Sequence, residues 1–480
     1  MKICIVGGGS AGWMSATTFV RKLDADVTLI ESPDVPVSGV GESTLGAIQE
    51  WLEFIGATHG DDIVKKTGAT LKQSIKFTNF LKKDSGSFHY PFGNTVIDPA
   101  MWWSRYIHTG KGSHNDYGVD VNPLGLSAED GRIDTSSIYA YHFDAIKFGQ
   151  YLKDEYCSQV NHVVANVIGC RGEIDSLQLD NGESIEADLF VDCTGFKSLL
   201  LGQFLKEPFI SYRKMLPNDR AWATHVPYGD KKKQMVPYTE CTAIDNGWVW
   251  QIPLWENIGT GYVYSSNYIS DEDAKQQFIE HLTEKGFDTS NCDFTLIPMK
   301  VGRRSRVFVN NVVAVGLSSG FIEPLESNSL LTVHDNLIEL YKILRRGQPS
   351  QVFKDNYNEA IGTMLDQWSQ FIAIHYAYTQ RQDTPYWNDI FNKGYQVKET
   401  KGVYSIKDYG REMHKSSRFV HSAGGYHYIA SGMNVCPYYK AKYSASECEK
   451  LDVSNKNWKD NLDKLPLMYD LMHQVRENES

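Results

Sequence analysis

The sequence predicts an α/β (α+β composite) fold: a Rossmann-like domain built on GxGxxG, an inserted mixed or antiparallel sheet, and a mostly helical C-terminal subdomain. Three observations predict it. The chain opens on an apolar run, a glycine-rich turn and a helix-like pattern. Runs that alternate apolar and polar residues fill its middle. From about Thr332 onward the apolar spacing becomes helical and rich in aromatic residues.

The elements follow in order. "KICIV" at 2–6 is short, apolar and partly β-branched, and glycines end it. Residues 11–22 carry spaced apolar positions and read as a helix, and "DVTLI" at 26–30 reads as a second strand. Strand, helix, strand is the opening of a parallel sheet. Further on, "VVANVIGC" and "IDSLQLDNGESIEADLFVDCTG" alternate as an antiparallel sheet does, with Asp180-Asn181-Gly182 as a turn. Residues 238–266 are strand-like. "VFVNNVVAVGLSSG", from Val307, ends in a strand and a glycine turn. Elements of the first fold therefore lie near both 1–45 and 300–330. The expected division is a discontinuous nucleotide-binding region with its inserted sheet over 1–335 and a mostly helical substrate subdomain over 336–480.

Composition excludes several classes. The 480 residues are 41% hydrophobic, which fits a globular chain. Basic residues number 48 against 59 acidic, for a net charge of -11, and "DKKKQ" near Lys231 is a short solvated turn. Neither nucleic acid nor membrane is an expected partner. Eight scattered cysteines form no CxxC pair and no zinc-spaced cluster, so no metal is expected. The N-terminus lacks a signal-peptide pattern, and the expected location is cytoplasmic. Self-association is left open.

Gly7, Gly9 and Gly12 form GxGxxG between the strand and the helix. Gly7 permits the tight turn, Gly9 lets backbone approach a pyrophosphate, and Gly12 lets the helix pack on the sheet. The phosphate would sit at the helix N-terminus, where free N–H groups and the dipole favour anions. Glu31 ends the second strand, 19 residues after Gly12, and suits hydrogen bonds to an adenosine ribose. A single glycine loop, with "DLFVDCTG" and "NVVAVGLSSG" as later strand-turn segments, favours FAD over a nicotinamide cofactor.

At this point the chain resembles the flavin-dependent tryptophan halogenases, over roughly its first 390 residues. "GGGSAGW" at 7–13 is similar to that family's first motif. "GWVWQIP" at 247–253 is similar to its second, WxWxIP, which is far more specific. "VSGVGEST" at 37–44 resembles the strap joining flavin and substrate sites, and "LKQSIKF" at 71–77 resembles the segment of the catalytic lysine. "YAYHFDA" at 139–145, "GFIEPLESNS" at 320–329 and "HYAYTQRQDTPYW" at 375–387 also match.

The resemblance implies an enzyme that uses reduced FAD from a separate NAD(P)H-dependent flavin reductase, oxygen and a halide. Hypohalous acid made at the flavin would cross a tunnel and halogenate an electron-rich aromatic ring. It implies cofactor contacts at Gly7, Gly9, Ser10, Ala11, Gly12, Glu31, Gly39, Val40, Gly41, Leu317 and Leu330. Lys72 and Glu326 would be catalytic, with Lys76 a second choice on the same face as Lys72. Lys72 would bind or aim the halogen, and Glu326 would stabilise the ring cation or take its proton. Trp248 and Trp250, on one face of a strand, would wall the flavin from organic substrate. Tyr90 and Phe92 would sandwich the ring, and Trp102 and Trp103 read equally as core. Backbone donors at Asn328 and Ser329 would hold chloride, bromide or iodide. Relatives usually carry Thr-Gly there, so the departure points to bromide or iodide. The C-terminal stretch with Tyr438 and Tyr439 lacks the tryptophan-gripping tail, which points to a wider range of indoles or phenols, free or carrier-tethered. Two other readings compete: a flavin-dependent aromatic monooxygenase and a catalytically silent FAD-binding partner protein.

Overall fold

The computed structural model describes residues 1–35, 41–57, 60–93, 95–110, 112–172, 174–393, 396–399, 402–405, 423–435 and 440–477. The chain divides into two compact units, each made of three segments. The first comprises Met1–Ala69, Phe143–Arg213 and Met299–Asp366, and the second Thr70–His142, Lys214–Pro298 and Gln367–Ser480. The boundary expected at 335 falls inside the helix Ser329–Leu344. The inserted strands between Lys214 and Pro298 cluster with the C-terminal helices and not with the glycine-loop fold. Nothing in local composition marks that exchange.

In the first unit a six-stranded sheet runs Phe308–Val309, Val312–Ala314, Leu189–Asp192, Lys2–Val6, Asp26–Glu31, Asn161–Val164. All neighbours are parallel except the first pair. The opening strand is central, and its last four residues are buried. Such two-sided burial explains its unbroken apolar run. A three-stranded antiparallel sheet, Val167–Arg171, Ser176–Leu179 and Ser184–Glu186, contains the expected turn, with Gly182 at φ +88°. The sequence also assigned residues on either side of this sheet to it. They belong instead to the parallel sheet: Leu189–Asp192 is buried throughout and pairs with Lys2–Val6, while Asn161–Val164 pairs with Asp26–Glu31. Both sheets feed one apolar core that includes Val6, Ile30, Leu177, Phe190, Leu200 and Val312. Each fully buried side chain of this kind stabilises by roughly 1.5–3 kcal/mol.

In the second unit a seven-stranded sheet runs Thr295–Pro298, Arg220–Val226, Ile258–Tyr264, Gly247–Pro253, Tyr238–Ile244, Ser74–Thr78, Ser87–Pro91. It is antiparallel except where Tyr238–Ile244 runs parallel to Ser74–Thr78, so the mixed sheet expected from the sequence is present. The helix Asp271–Glu284 packs Ala274, Phe278 and Leu282 on one side of it. Helices Pro385–Lys393, Ala423–Gly432, Ala445–Asn461 and Met468–Glu477 follow, as the C-terminal pattern predicts, with a hairpin of Gln396–Glu399 and Gly402–Ser405 among them. Among the described residues no helix is long and apolar enough to cross a membrane, and no His, Cys, Asp and Glu cluster is placed to hold a metal.

Candidate active site

The first unit builds an anion-ready surface from main chain. Gly7 has φ +119°, and a Cβ on it would lie 2.3 Å from the carbonyl oxygen of Cys193. A Cβ on Gly12 would lie 1.8 Å from the Gly7 oxygen, so the helix presses directly on the loop. Gly9 differs: among the described residues a Cβ there would meet nothing within 4 Å. It caps the helix Ser10–Lys22 with no side-chain hydrogen bond and no acid in the first turn. The N–H groups that begin this helix therefore receive no side-chain cap, and the backbone at Gly9 is open to close approach, the cradle a pyrophosphate needs. These residues fit FAD.

Glu31 lies beside this loop. Its carboxyl carbon is 2.3 Å from where a Cβ on Gly8 would stand, and its Oε2 is 2.8 Å from His162 Nε2. The sequence reading missed His162, whose strand reads as a surface run. Gly316, at φ +73°, brings the later glycine turn against the helix start, where a Cβ on it would lie 2.9 Å from Ala11 Cβ. Leu317 beside it is 39% exposed, an apolar edge next to that turn, whereas Leu330 is buried. Asp192 was also missed. It accepts from Thr194 N and Oγ1 and from the N–H groups of Leu200 and Leu201, fixing the turn after its strand. Burial pushes its carboxyl up nonetheless.

Of the strap, Gly39 and Val40 lie outside the described residues, and Gly41 has φ +63°. Glu42 follows, half-buried, and desolvation raises its carboxyl to about 7. Ser43 accepts a 3.0 Å hydrogen bond from the Ser327 hydroxyl. That bond ties the strap to the segment 320–329. Here Glu323 and Glu326 are both buried, Pro324–Glu326 forms a 3-10 turn, and Ser327 takes the left-handed conformation at φ +57°. Asn328 caps the helix Ser329–Leu344.

The second unit holds Lys72. It ends the strand Thr70–Lys72, which pairs with Ala140–Phe143 so that Thr70 faces His142 and Lys72 faces Ala140. Lys72 is completely buried, and its Nζ lies 5.3 Å from the centre of the Phe92 ring. His142, inside the quoted "YAYHFDA" but not picked out, lies within reach of the Lys72 charge. Its Nδ1 is 3.2 Å from Thr70 Oγ1 and its Nε2 is 2.9 Å from Thr239 Oγ1. Burial first, and the Lys72 charge second, hold it well below the usual imidazole range. It is therefore neutral at neutral pH and adds no positive charge of its own beside Lys72. Thr70 also donates to the carbonyl oxygen of Pro253 at 2.5 Å, tying the lysine's strand to the end of the tryptophan motif.

Lys76 is a different kind of lysine. Gln73 separates the two strands, which belong to different sheets, so Lys72 and Lys76 share no common face. Lys76 Nζ is 2.9 Å from Glu129 Oε2, and His89 Nε2 is 2.6 Å from the same oxygen. Burial pushes the Glu129 carboxyl up, but the hydrogen bonds from His89 and Lys76 outweigh it and bring it to about 2.

The tryptophan motif forms the middle strand of the sheet, and all seven of its residues are buried. Trp248 and Trp250 share a face, as their spacing predicts, with ring centres 6.2 Å apart. Gly261, across from Trp250, leaves the space its ring fills, since a Cβ there would lie 2.1 Å from it. Thr260 donates to the Trp250 carbonyl at 2.6 Å. Both indoles are thus rigid packed wall. Tyr90 stacks on Tyr428 at 5.2 Å, a partner from the C-terminal helices that the sequence did not single out. Trp102 and Trp103 are core, packed with Tyr117, Val121 and Tyr428. Tyr438 and Tyr439 lie outside the described residues.

Comparison with known proteins adds the following. Residues 2–447 match the family model for tryptophan halogenase. The chain is 35% identical over 418 residues to tryptophan 7-halogenase RebH of Lentzea aerocolonigenes, covering 80% of this chain and 78% of that one. It is 33% identical over 428 residues to tryptophan 6-halogenase SttH of Streptomyces toxytricini, covering 81% and 80%. Among solved structures, apo VirX1 matches with a TM-score of 0.88 at 34% identity over 98% of both chains. Tar14, a tryptophan C-6 flavin-dependent halogenase (chlorinase) from taromycin biosynthesis, matches with a TM-score of 0.87 at 30% identity over 99% of both.

Proposed function

The chain belongs to the tryptophan halogenase family, and on that premise we propose that it is the FAD-dependent enzyme that places bromine or iodine, in preference to chlorine, on an indole- or phenol-type ring. FAD would be held by Gly7, Gly9, Ser10, Ala11, Gly12, Glu31, Gly39, Val40, Gly41, Leu317 and Leu330. When bound, and reduced by a separate NAD(P)H-dependent reductase in the cytoplasm, it supplies with oxygen the oxidation of halide to hypohalous acid. The halide would sit at the N–H groups that begin the helix Ser329–Leu344.

The oxidant would then pass by an internal tunnel to Lys72. Its ammonium donates a hydrogen bond to the hypohalous oxygen, so the oxygen–halogen bond breaks toward hydroxide while the halogen bonds to ring carbon. Glu326 stabilises the cationic ring and takes the proton that the ring loses. That proton and the hydroxide leave as water, and the wall of Trp248 and Trp250 keeps organic substrate from the flavin. One observation carries this reading: a fully buried lysine set against an aromatic ring, with the adjacent histidine kept neutral. A fully buried lysine is uncommon, and such a position is a candidate for chemistry.

The test uses reduced FAD, oxygen, a panel of indoles and phenols, and the three halides at equal concentration, read by mass spectrometry. Brominated or iodinated product should dominate. A dominant chlorinated product would overturn the halide preference, and hydroxylated product alone would overturn the activity.

A further inference from the structure

Asn328 is 1% exposed, yet among the described residues neither its Nδ2 nor its Oδ1 has a hydrogen-bond partner. Folds rarely bury an amide this way, because both groups give up water for nothing. Its position makes the omission informative. An asparagine at a helix N-cap ordinarily has extended backbone and accepts from the second or third N–H. Here the backbone is helical, at φ -85° and ψ -5°, and the side chain makes no cap hydrogen bond. The residue before it is locked: Ser327 is left-handed, its N–H bonds to the Pro324 oxygen at 3.0 Å, and its hydroxyl bonds to Ser43. The first backbone bond into the helix is Thr332 N–H to the Asn328 oxygen, so the N–H groups of Ser329, Leu330 and Leu331 precede the ladder. No acidic residue stands in the first turn; Glu323 and Glu326 belong to the turn before it.

We infer that the Asn328 carboxamide is itself a halide ligand, its Nδ2 donating to the anion together with the backbone N–H groups that begin the helix. The inference rests on the reading of this helix start as the halide site. It adds a side-chain donor to a nest otherwise built from main chain. A donor on a side chain stands farther from the helix axis than the backbone groups, so a wider anion spans both sets of donors. The same carboxamide offers Oδ1 as an acceptor for the O–H of the hypohalous acid formed there. Halide selection would then lie in a side chain, where substitution can change it without disturbing the turn.

The experiment measures sodium bromide binding to FAD-loaded protein by calorimetry and locates bromide in crystals by anomalous diffraction at the bromine edge. The proteins are wild type, Asn328→Leu, which keeps the shape without the donor, and Asn328→Ala, which removes the carboxamide altogether. The inference expects a bromide peak at the helix start within hydrogen-bond distance of Nδ2, and bromide binding weakened about tenfold in Asn328→Leu. Chloride binding should change less. Should Asn328→Leu lose FAD or fold poorly, Asn328→Ala carries the same comparison. A peak at the helix start with unchanged bromide affinity in both variants would overturn the role of Asn328 and leave the halide site standing. No peak at the helix start would overturn the site itself.

Discussion

The two units make positive potential in opposite ways. The first relies on main chain: two helix starts, at Ser10 and Ser329, have no side-chain cap and no acid in the first turn. The second sets a side-chain cation, Lys72, against Phe92 in full burial, with a neutral His142 as neighbour. Main-chain donors need no protonation and pay their desolvation in the fold, so they suit resident anions. A lysine ammonium is a mobile point charge with protons to share, so it suits a transient oxidant. On the proposed reading, holding and reacting fall to different chemistry, and each half has its own substitution that breaks it.

Lys72→Ala should have the largest effect. Halogenated product is expected to fall by about a thousandfold or more, in the range of a lost catalytic group. FAD binding and hypohalous acid production should persist, measured by flavin absorbance and by trapping the oxidant in solution. Wild-type product rates in this variant would mean that the buried lysine is structural.

Gly9→Val breaks the other half. The added atoms enter the open space in front of the loop, so the apoprotein should fold normally while FAD affinity falls by about two orders of magnitude, ~2.8 kcal/mol. Unchanged flavin occupancy would place the cofactor elsewhere.

Glu42→Gln sharpens the comparison, because Glu42 is a carboxyl in the main-chain unit whose charge burial disfavours. The native protein keeps its proton to about 7, whereas the unfolded chain releases it near pH ~4.3. Stability therefore falls as pH rises through that window, and the loss is complete above it. Glu42→Gln should unfold later than wild type at about pH 8, by on the order of 2 kcal/mol, and equally at about pH 4. Denaturant curves at the two pH values decide it; a variant less stable at the higher pH would mean the carboxylate is compensated.

The smallest effect is expected for Lys76→Ala. Its ion pair with half-exposed Glu129 is worth ~1 kcal/mol or less, and product rates should stay within about twofold of wild type. A loss comparable to that of Lys72→Ala would erase the distinction between the two lysines.

Much of this was legible in residues with fixed spacing. The glycine loop, the strand that feeds it and Glu31 follow from backbone requirements that only certain residues meet, and WxWxIP places two indoles on one face of a strand. The discontinuity of the glycine-loop unit was legible in its return near 300–330, but the grouping of the inserted strands with the C-terminal helices was not, because nothing in composition changes at Lys214 or Met299. Leu189–Asp192 was read as part of the antiparallel sheet although its unbroken burial marks a parallel one, since four apolar residues carry little period. The resemblance was traced over about 390 residues, while the family match reaches residue 447. The aromatic helices beyond lack a short motif, and partners such as Tyr428 emerge only when the chain is folded. His142 was quoted and passed over, because nothing local says that a histidine faces a buried lysine's strand. The unmet hydrogen bonds of Asn328 are likewise a property of packing alone.

The most direct test of the account is the identity of the product. Wild-type protein with reduced FAD, oxygen, bromide and a tryptophan-like indole should yield an arene that carries one bromine, recognised by its paired isotope peaks, and none without bromide. An arene that has gained an oxygen instead, with or without bromide, would contradict the claim that this chain oxidises halide and places it on carbon.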